Sequence, residues 1–201
     1  MQLRHSPTSP FVRKVRIAAA VLGLDDRITL VPADTGDPDD PLRAQNPLGK
    51  VPALILGDGT AVYDSLVIVD YLDGLSDAAV LIPPHPDRTR VLVTHSLADG
   101  ICEAGLLQVF EKRMRPEEKW HQPWLDNQAG KVARALDTFE ASPPPQGGTP
   151  DVGTITLACA LGYLDLRFEG AWRQSHPGLA GWLETFSARV PAFAETAPPT
   201  G

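Results

Sequence analysis

The chain has 201 residues, a length that suits one large domain or two small domains sharing a hydrophobic core. Hydrophobic residues make up 43% and charged residues 21% of the sequence, which is typical of a folded globular protein and argues against a disordered or fibrous chain. The formal net charge of −7 argues against nucleic-acid binding, because a phosphate backbone is bound by clustered basic surface.

The first third of the chain alternates strand and helix patterns. β-Branched and apolar runs predict strands, and apolar residues spaced three and four apart predict helices. Strands are predicted over residues 3–5, 28–31, 53–56 and 61–63, and helices over residues 10–22 and 66–75. In the first helix Arg13 and Lys14 are expected to lie away from the apolar stripe, and Gly23 is expected to follow its end. Gly57-Asp58-Gly59 is typical of a hairpin turn, so the predicted order is βαβ followed by ββα.

The rest of the chain has only helix patterns. The segment Ile82-Pro83-Pro84-His85-Pro86 breaks any helix and separates the two parts. Helices are predicted over residues 87–114, 122–141, 152–168 and 177–188. The sequence therefore predicts an α+β fold, with a βαβ-ββα domain over residues 1–77, a linker at about 78–86 and an all-α helical bundle over 87–201.

Ser9 and Pro10 are expected to begin the first helix. Serine at the N-cap accepts a hydrogen bond from a free backbone N–H, and the fixed φ of proline suits the first turn. Capping alone accounts for this pair. A helix N-terminus also attracts anions, so a thiolate bound there and hydrogen-bonded to the Ser9 hydroxyl would have a lowered pKa. Lowering it by about 2 requires ~2.7 kcal/mol, which one charge-assisted hydrogen bond (~1.5–3 kcal/mol) and the helix end (~0.3–1 kcal/mol) together supply.

Residues 46–54, Asn-Pro-Leu-Gly-Lys-Val-Pro-Ala-Leu, form a second feature. Pro52 has no N–H to donate to a sheet, so it is expected at the first residue or the edge of the strand that follows. A trans peptide bond is the default before it, because only about 5–6% of X–Pro bonds in folded proteins are cis. A cis bond would turn the N–H and C=O of Val51 outward, where they could pair with an extended peptide.

Tyr63-Asp64-Ser65 precedes the second helix. An Asp-Ser pair at a strand-to-helix junction most often caps the helix. The same groups could bind an α-amino-carboxylate, with Ser65 and the free N–H groups on the carboxylate and Asp64 on the ammonium.

In order and spacing these three segments resemble the glutathione S-transferase family. Ser9-Pro10-Phe11 is similar to the family's catalytic Ser/Cys-Pro-aromatic segment, residues 46–54 to its cis-proline loop, and Asp64-Ser65 to its γ-glutamyl-binding pair. Asp151-Val152-Gly153-Thr154 lies where the family has a capping box before a core helix, although the acid and the hydroxyl are exchanged here. The resemblance implies a thioredoxin-like first domain and a bacterial-type member with a serine active site.

The resemblance also implies a role for each matching residue. Ser9 would stabilise the glutathione thiolate, with Ser6 and Thr8 close enough to compete for that role. A serine site favours conjugation, whereas a cysteine site would favour thiol–disulfide exchange. The implied glutathione-binding residues are Phe11, Lys50, Val51, Pro52, Asp64 and Ser65.

The resemblance assigns these residues to different parts of glutathione. The backbone of Val51 would pair with the cysteinyl unit ahead of a cis-Pro52, and Asp64 and Ser65 would hold the γ-glutamyl end. Lys50 would lie near the glycyl carboxylate, with a solvated surface lysine as the alternative.

The helical domain offers weaker candidates. Asp99 could reach a glutathione bound to a partner subunit, as a helix-borne acid does in some relatives, with a solvent-exposed position as the alternative. The second-substrate pocket could involve the helix with His95, Asp99 and Cys102, together with Phe110 or Trp120. For His95 a helix-surface position is the alternative.

No metal site is expected, because the five histidines do not cluster and neither Cys102 nor Cys159 lies in a CxxC motif. Both cysteines are expected to be buried reduced thiols, as in a cytoplasmic protein. No segment approaches the ~20 apolar residues of a membrane span, and no signal peptide is apparent.

The resemblance implies a homodimeric enzyme that conjugates activated glutathione, a co-substrate, to a small hydrophobic electrophile held between the domains. A detoxification role follows from that chemistry, and neither nucleic acid nor membrane is expected as a partner. Two alternatives stay open: a non-catalytic protein that binds glutathione or another ligand, and a glutathione-dependent isomerase or dehalogenase.

Overall fold

A computed structural model of the chain describes residues 1–77 and 80–199. Its sheet has four strands in the order β2-β1-β3-β4, of which β1 and β2 are parallel and the other pairs antiparallel. The strands are β1 (Gln2–His5), β2 (Thr29–Pro32), β3 (Ala53–Ile55) and β4 (Ala61–Val62). The predicted βαβ and ββα order is confirmed, and the turn at Gly57-Asp58-Gly59 joins β3 to β4.

The strand register brings three loops to one edge of the sheet. Arg4 lies opposite Ala53 in the β1–β3 pair, so the loop after β1 faces the residues that precede β3. Leu54 lies opposite Val62 in the β3–β4 pair, so Asp64, which follows β4, reaches the same edge. The three segments that the sequence singles out therefore meet at this edge.

Three helices accompany the sheet: α1 (Pro10–Val21), α2 (Leu42–Gln45) and α3 (Ser65–Asp73). The apolar spacing correctly predicts α1 and α3, and α1 ends as expected, with Gly23 beyond its C-cap at a φ of +67°. The helix α2 is a single turn, too short to show a helical period, and was not predicted.

The second part of the chain is helical, as predicted. Its helices are α4 (Asp87–Met114), α5 (Gln122–Ala141), α6 (Val152–Phe168), α7 (Trp172–Ser175), α8 (Pro177–Arg189) and α9 (Pro191–Glu195). The sequence patterns predict the four long helices and miss α7 and α9, which have only four and five residues. Ala78 and Ala79 of the predicted linker lie outside the described residues.

Helix α6 is the centre of the molecule. Every residue from Val152 to Leu161 is buried, because α6 packs against α4 and also against α1 of the first part. The exchanged capping pair works at its N-terminus: Asp151 Oδ1 accepts from the Thr154 N–H at 2.8 Å, and the Thr154 hydroxyl donates to the Asp151 carbonyl at 2.9 Å. None of the helices within residues 1–77 and 80–199 combines the length and the apolar character that a membrane span requires.

The expectation that Arg13 and Lys14 avoid the core is wrong. Both side chains are buried and find partners in the helical part, where Lys14 pairs with Asp99 and Arg13 donates to neutral oxygens near the C-terminus. Arg13 donates from Nη2 to the Phe193 carbonyl at 2.5 Å, and its guanidinium lies 3.9 Å from the centre of the Phe193 ring. Arg13 thereby attaches the C-terminal segment to α1.

Candidate functional site

Ser9 caps α1 as the sequence predicts. Its Oγ accepts a hydrogen bond from the Val12 N–H at 3.3 Å, and its own N–H donates to the Ser6 carbonyl at 3.2 Å, which closes the turn after β1. Because Oγ uses a lone pair toward Val12, its O–H remains available to a ligand. Ser6 and Thr8 lie in the same turn, and neither hydroxyl caps a helix in the described part of the chain.

The loop before β3 presents backbone groups. The Val51–Pro52 peptide bond is cis, and the Val51 N–H and C=O have no hydrogen-bond partner among the described residues. Buried Asn46 shapes this loop, since its Nδ2 donates to the Lys50 carbonyl at 2.9 Å and its Oδ1 accepts from the Leu48 N–H at 3.1 Å. The Lys50 side chain is exposed.

The third segment lies at the N-terminus of α3. The carboxylate of Asp64 accepts from the Leu66 N–H at 3.1 Å and from the Val67 N–H at 3.5 Å, so Asp64 is the N-cap. Asp64 is exposed and Ser65, the first helical residue, is buried. The Tyr63–Asp64 peptide bond is also cis.

A buried lysine lies behind Ser65, and sequence reasoning missed it. Lys14 is 0% exposed, and its Nζ lies 2.9 Å from Ser65 Oγ, 3.1 Å from His95 Nε2 and 2.7 Å from Asp99 Oδ1. The first partner belongs to α3 and the other two belong to α4. The group therefore joins the candidate glutathione site to the helical part.

His95 and Asp99 do not occupy the surface positions considered as alternatives. His95 is buried, and Asp99 forms an ion pair with Lys14. Burial, and then the positive charge of Lys14, lower the pKa of His95 to about 4, although the carboxylates of Asp99 and Asp64 oppose the shift. His95 is thus neutral at pH 7 and accepts a hydrogen bond at Nε2.

Phe11 lies beside the same group. Its side chain is half-buried against the core, and its ring centre is 5.7 Å from Lys14 Nζ. It follows Pro10 in the first turn of α1, so it connects the Ser9 turn to the lysine.

A narrow crevice adjoins Ser9 on the side of α6. Its lining consists of Pro7, Thr8, Ser9, Pro10, Arg13, Cys159, Gly162, Tyr163, Leu166 and Pro198. The pocket residues suggested by the sequence, His95, Cys102, Phe110 and Trp120, do not line it.

Cys102 and Cys159 are buried free thiols, as expected, and burial raises the pKa of each. No group of three or more His, Cys, Asp or Glu residues that could hold a metal ion occurs within residues 1–77 and 80–199.

The whole chain resembles known proteins. Residues 8–75 match the family described as glutathione S-transferase, N-terminal domain, and residues 122–185 match glutathione S-transferase, C-terminal domain. The uncharacterized GST-like protein YibF of Escherichia coli K12 is 35% identical over 99% of both chains. A glutathione transferase family member from Pseudomonas fluorescens Pf-5, solved with bound glutathione, is 42% identical with a TM-score of 0.92 over 99% of both chains. A structure from the same organism with bound S-(propanoic acid)-glutathione is 41% identical, with a TM-score of 0.89 over 100% of both chains. The chain belongs to the glutathione S-transferase family.

Proposed function

We propose that the protein binds glutathione, ionises its thiol and conjugates it to a small hydrophobic electrophile. The observation that carries this proposal is the position of Ser9. Its hydroxyl stands at the N-terminus of α1 with a spare proton, at the sheet edge where Val51 and the Asp64-Ser65 pair also lie. Family membership and relatives with bound glutathione support it.

Two of the three segments, residues 46–54 and Asp64-Ser65, supply the contacts that we assign to the three residues of the tripeptide. The free backbone groups of Val51 pair with the cysteinyl unit, as one strand pairs with another. The N-terminus of α3 and Ser65 receive the γ-glutamyl carboxylate, and exposed Asp64 receives the ammonium. The exposed side chain of Lys50 is free to approach the glycyl carboxylate.

The thiol is then held at the mouth of α1. The Ser9 hydroxyl donates to sulfur, and the helix end favours the anion. These contributions, about 1.5–3 and 0.3–1 kcal/mol, are large enough to bring a thiol pKa of about 8.5 to near neutrality.

We propose that the electrophile approaches the sulfur beside Ser9, where the crevice has a volume of only about 10 Å³ and must widen to admit a substrate. Tyr163, Leu166 and Pro198 give it an apolar wall on the side of the helical part. The relative with bound S-(propanoic acid)-glutathione supports a sulfur-side space that accepts a substituent. The apolar wall favours an apolar portion of the electrophile, and the propanoic acid group in that relative's ligand indicates that a polar end can also be accepted on the sulfur side.

Two measurements on one preparation test the proposal: retention on immobilised glutathione and conjugation of a generic aryl halide. We expect both from the wild type. Ser9→Ala should retain binding and lose roughly 10²-fold in turnover, as for the removal of one donor to a developing anion. Retention without turnover of the aryl halide or of a panel of electrophiles would favour the non-catalytic binding protein. Turnover confined to isomerisable or halogenated substrates would favour the isomerase or dehalogenase.

We further propose that the protein is a homodimer. Val67 on α3 and Val93 on α4 are 50% and 62% exposed, and a groove of about 470 Å³ lies between α4 and α5. Size-exclusion chromatography with light scattering should give twice the chain mass. Val93→Asp should shift the protein toward monomer, whereas Met114→Asp, at the far end of α4, should not. A wild-type monomer would contradict this proposal.

A further inference from the structure

Lys14 is a fully buried charge whose partners are unusual for a structural ion pair. Burying an ammonium group is unfavourable unless each of its three N–H groups is hydrogen-bonded. Here three acceptors are present, Ser65 Oγ, His95 Nε2 and Asp99 Oδ1, at 2.9, 3.1 and 2.7 Å. Asp99 neutralises the charge, and Ser65 and His95 accept from the two remaining N–H groups.

The direction of that hydrogen bond decides what Ser65 can do. An ammonium group has no lone pair, so Lys14 donates and the Ser65 oxygen accepts. The hydroxyl proton of Ser65 cannot point at Lys14, and it has no acceptor among the described residues. The proton is left for a ligand at the N-terminus of α3.

The other two partners hold the ammonium in place. Neutral His95 can only accept from it, and Asp99 balances its charge. Both belong to α4, whose packing against α6 fixes their positions. Two residues of the helical part thus hold Lys14 where it donates to the Ser65 oxygen and so determine the orientation of the Ser65 hydroxyl.

We infer that Lys14 is a positioning residue, which orients the Ser65 hydroxyl as a donor to the α-carboxylate at the γ-glutamyl end of glutathione. This inference rests on the proposed glutathione site. It assigns to α1 a second contribution to that site, separate from that of Ser9 at its N-terminus.

Calorimetric titration with two ligands tests the inference. One ligand is glutathione, and the other is γ-aminobutyryl-cysteinyl-glycine, which keeps the amine and the thiol but lacks the α-carboxylate. The wild type should bind glutathione at least tenfold more tightly, about the value of one charge-assisted hydrogen bond. Lys14→Met should remove most of that preference while leaving the affinity for the analogue unchanged. A variant damaged only in its folding would lose affinity for both ligands.

A double-mutant cycle separates orientation from simple attraction. If Lys14 acts through the hydroxyl, Lys14→Met should weaken glutathione binding by roughly tenfold in the wild type and hardly at all in Ser65→Ala. Equal losses in both backgrounds would mean that the lysine charge acts directly, which would overturn the inference. Arg16→Met is the control, since it removes one positive charge from a half-buried position of the same helix and should leave the preference unchanged.

If Lys14→Met does not fold, the paired variant Lys14→Met/Asp99→Leu removes both charges of the ion pair and should show the same loss of preference. Wild-type binding to neither ligand would refute the proposed function itself. Wild-type preference for glutathione that survives in the lysine variants would refute only the role of Lys14.

Discussion

Two serine hydroxyl groups at helix N-termini, those of Ser9 and Ser65, each accept a hydrogen bond from the protein. Ser9 accepts from a backbone N–H of α1, and Ser65 accepts from the ammonium of Lys14. Each oxygen is therefore engaged by a donor, so each proton is directed away from the protein's own groups. One proton is suited to a thiolate and the other to a carboxylate, the two anionic groups at opposite ends of a γ-glutamyl-cysteine unit.

The buried histidine predicts a pH dependence of stability. The pKa of His95 falls from 6.5 in the unfolded chain to about 4 in the folded protein, so the unfolded state binds a proton more readily between these values. Stability contributed by neutral His95 is fully present above pH 6.5 and is lost as the pH falls toward 4. The wild-type midpoint of thermal unfolding should drop in this range. In His95→Gln, which keeps an acceptor for Lys14, the drop should be smaller. Equal slopes for the two proteins would contradict the assignment.

Helical spacing is compatible with the burial of Lys14 and His95, but the sequence does not predict it, because their polar chemistry favours positions outside an apolar stripe. Lys14 follows Phe11 by three residues and precedes Ala18 by four, which places all three on one face of α1. Likewise, His95 follows Val91 by four residues. A charged side chain is expected on the protein surface unless other groups compensate its charge. The groups that do so here belong to α3 and α4, which are distant from α1 in the sequence, so a local sequence pattern does not reveal them.

At the scale of elements, the contact between α4 and α6 depends on a missing side chain. A Cβ at Gly153 would lie 2.9 Å from Thr94 Cβ and 3.0 Å from the Val91 carbonyl oxygen. Since the obstacle includes backbone, the helices would have to separate. The absence of a side chain at Gly153 therefore allows α6 to pack closely against α4.

Gly153→Ala should lower the free energy of unfolding by about 1–3 kcal/mol, the usual cost of overpacking. The matched control is Gly181→Ala in α8, where an added Cβ has no neighbour within 4 Å. That change should be neutral or stabilising by up to ~1 kcal/mol, because alanine is the better helix former. Urea unfolding measures both. Equal effects at the two positions would show that helix propensity, and not packing, governs the site.

The long helices repeat their apolar residues often enough for the helical period to show, and the capping residues Ser9, Asp64 and Asp151 mark three helix starts. The strands have only two to four residues and are predicted from apolar and β-branched runs beside turn residues. The one-turn helices α2 and α7 have too few residues to repeat, so only tertiary packing identifies them. The site follows the same division: the Ser9, Val51 and Asp64-Ser65 segments are local motifs, whereas Tyr163 and Pro198 join the Ser9 crevice only through the fold.

At the scale of the whole molecule, the two parts share a core across α1 and α6. Arg13 and Lys14 extend from α1 into the helical part, where both find hydrogen-bond partners. Separating the two parts would break these hydrogen bonds and expose the apolar core that α1 shares with α6 to water. We therefore expect the two parts to unfold together.

Tryptophan fluorescence can test this coupling, because Trp120, Trp124, Trp172 and Trp182, the four tryptophans of the chain, belong to the helical part. Glutathione at 100 times its dissociation constant should stabilise the folded protein by ~2.7 kcal/mol. Fluorescence and far-ultraviolet circular dichroism should show the same shift in midpoint. A shift seen by circular dichroism alone would mean that the helical part unfolds independently of the glutathione site.

In our proposal the Ser9 hydroxyl keeps the sulfur of bound glutathione ionised. The direct measurement is a pH titration of the thiolate absorbance in the glutathione complex, for the wild type, Ser9→Ala and Ser9→Gly. The glycine variant lacks the hydroxyl but keeps a residue tolerated at an N-cap, and Ser6→Ala serves as the control in the same turn. We predict that both Ser9 variants raise the pKa of the bound thiol by about 1–2, while Ser6→Ala leaves it unchanged. An unchanged thiol pKa in the two Ser9 variants would contradict the account.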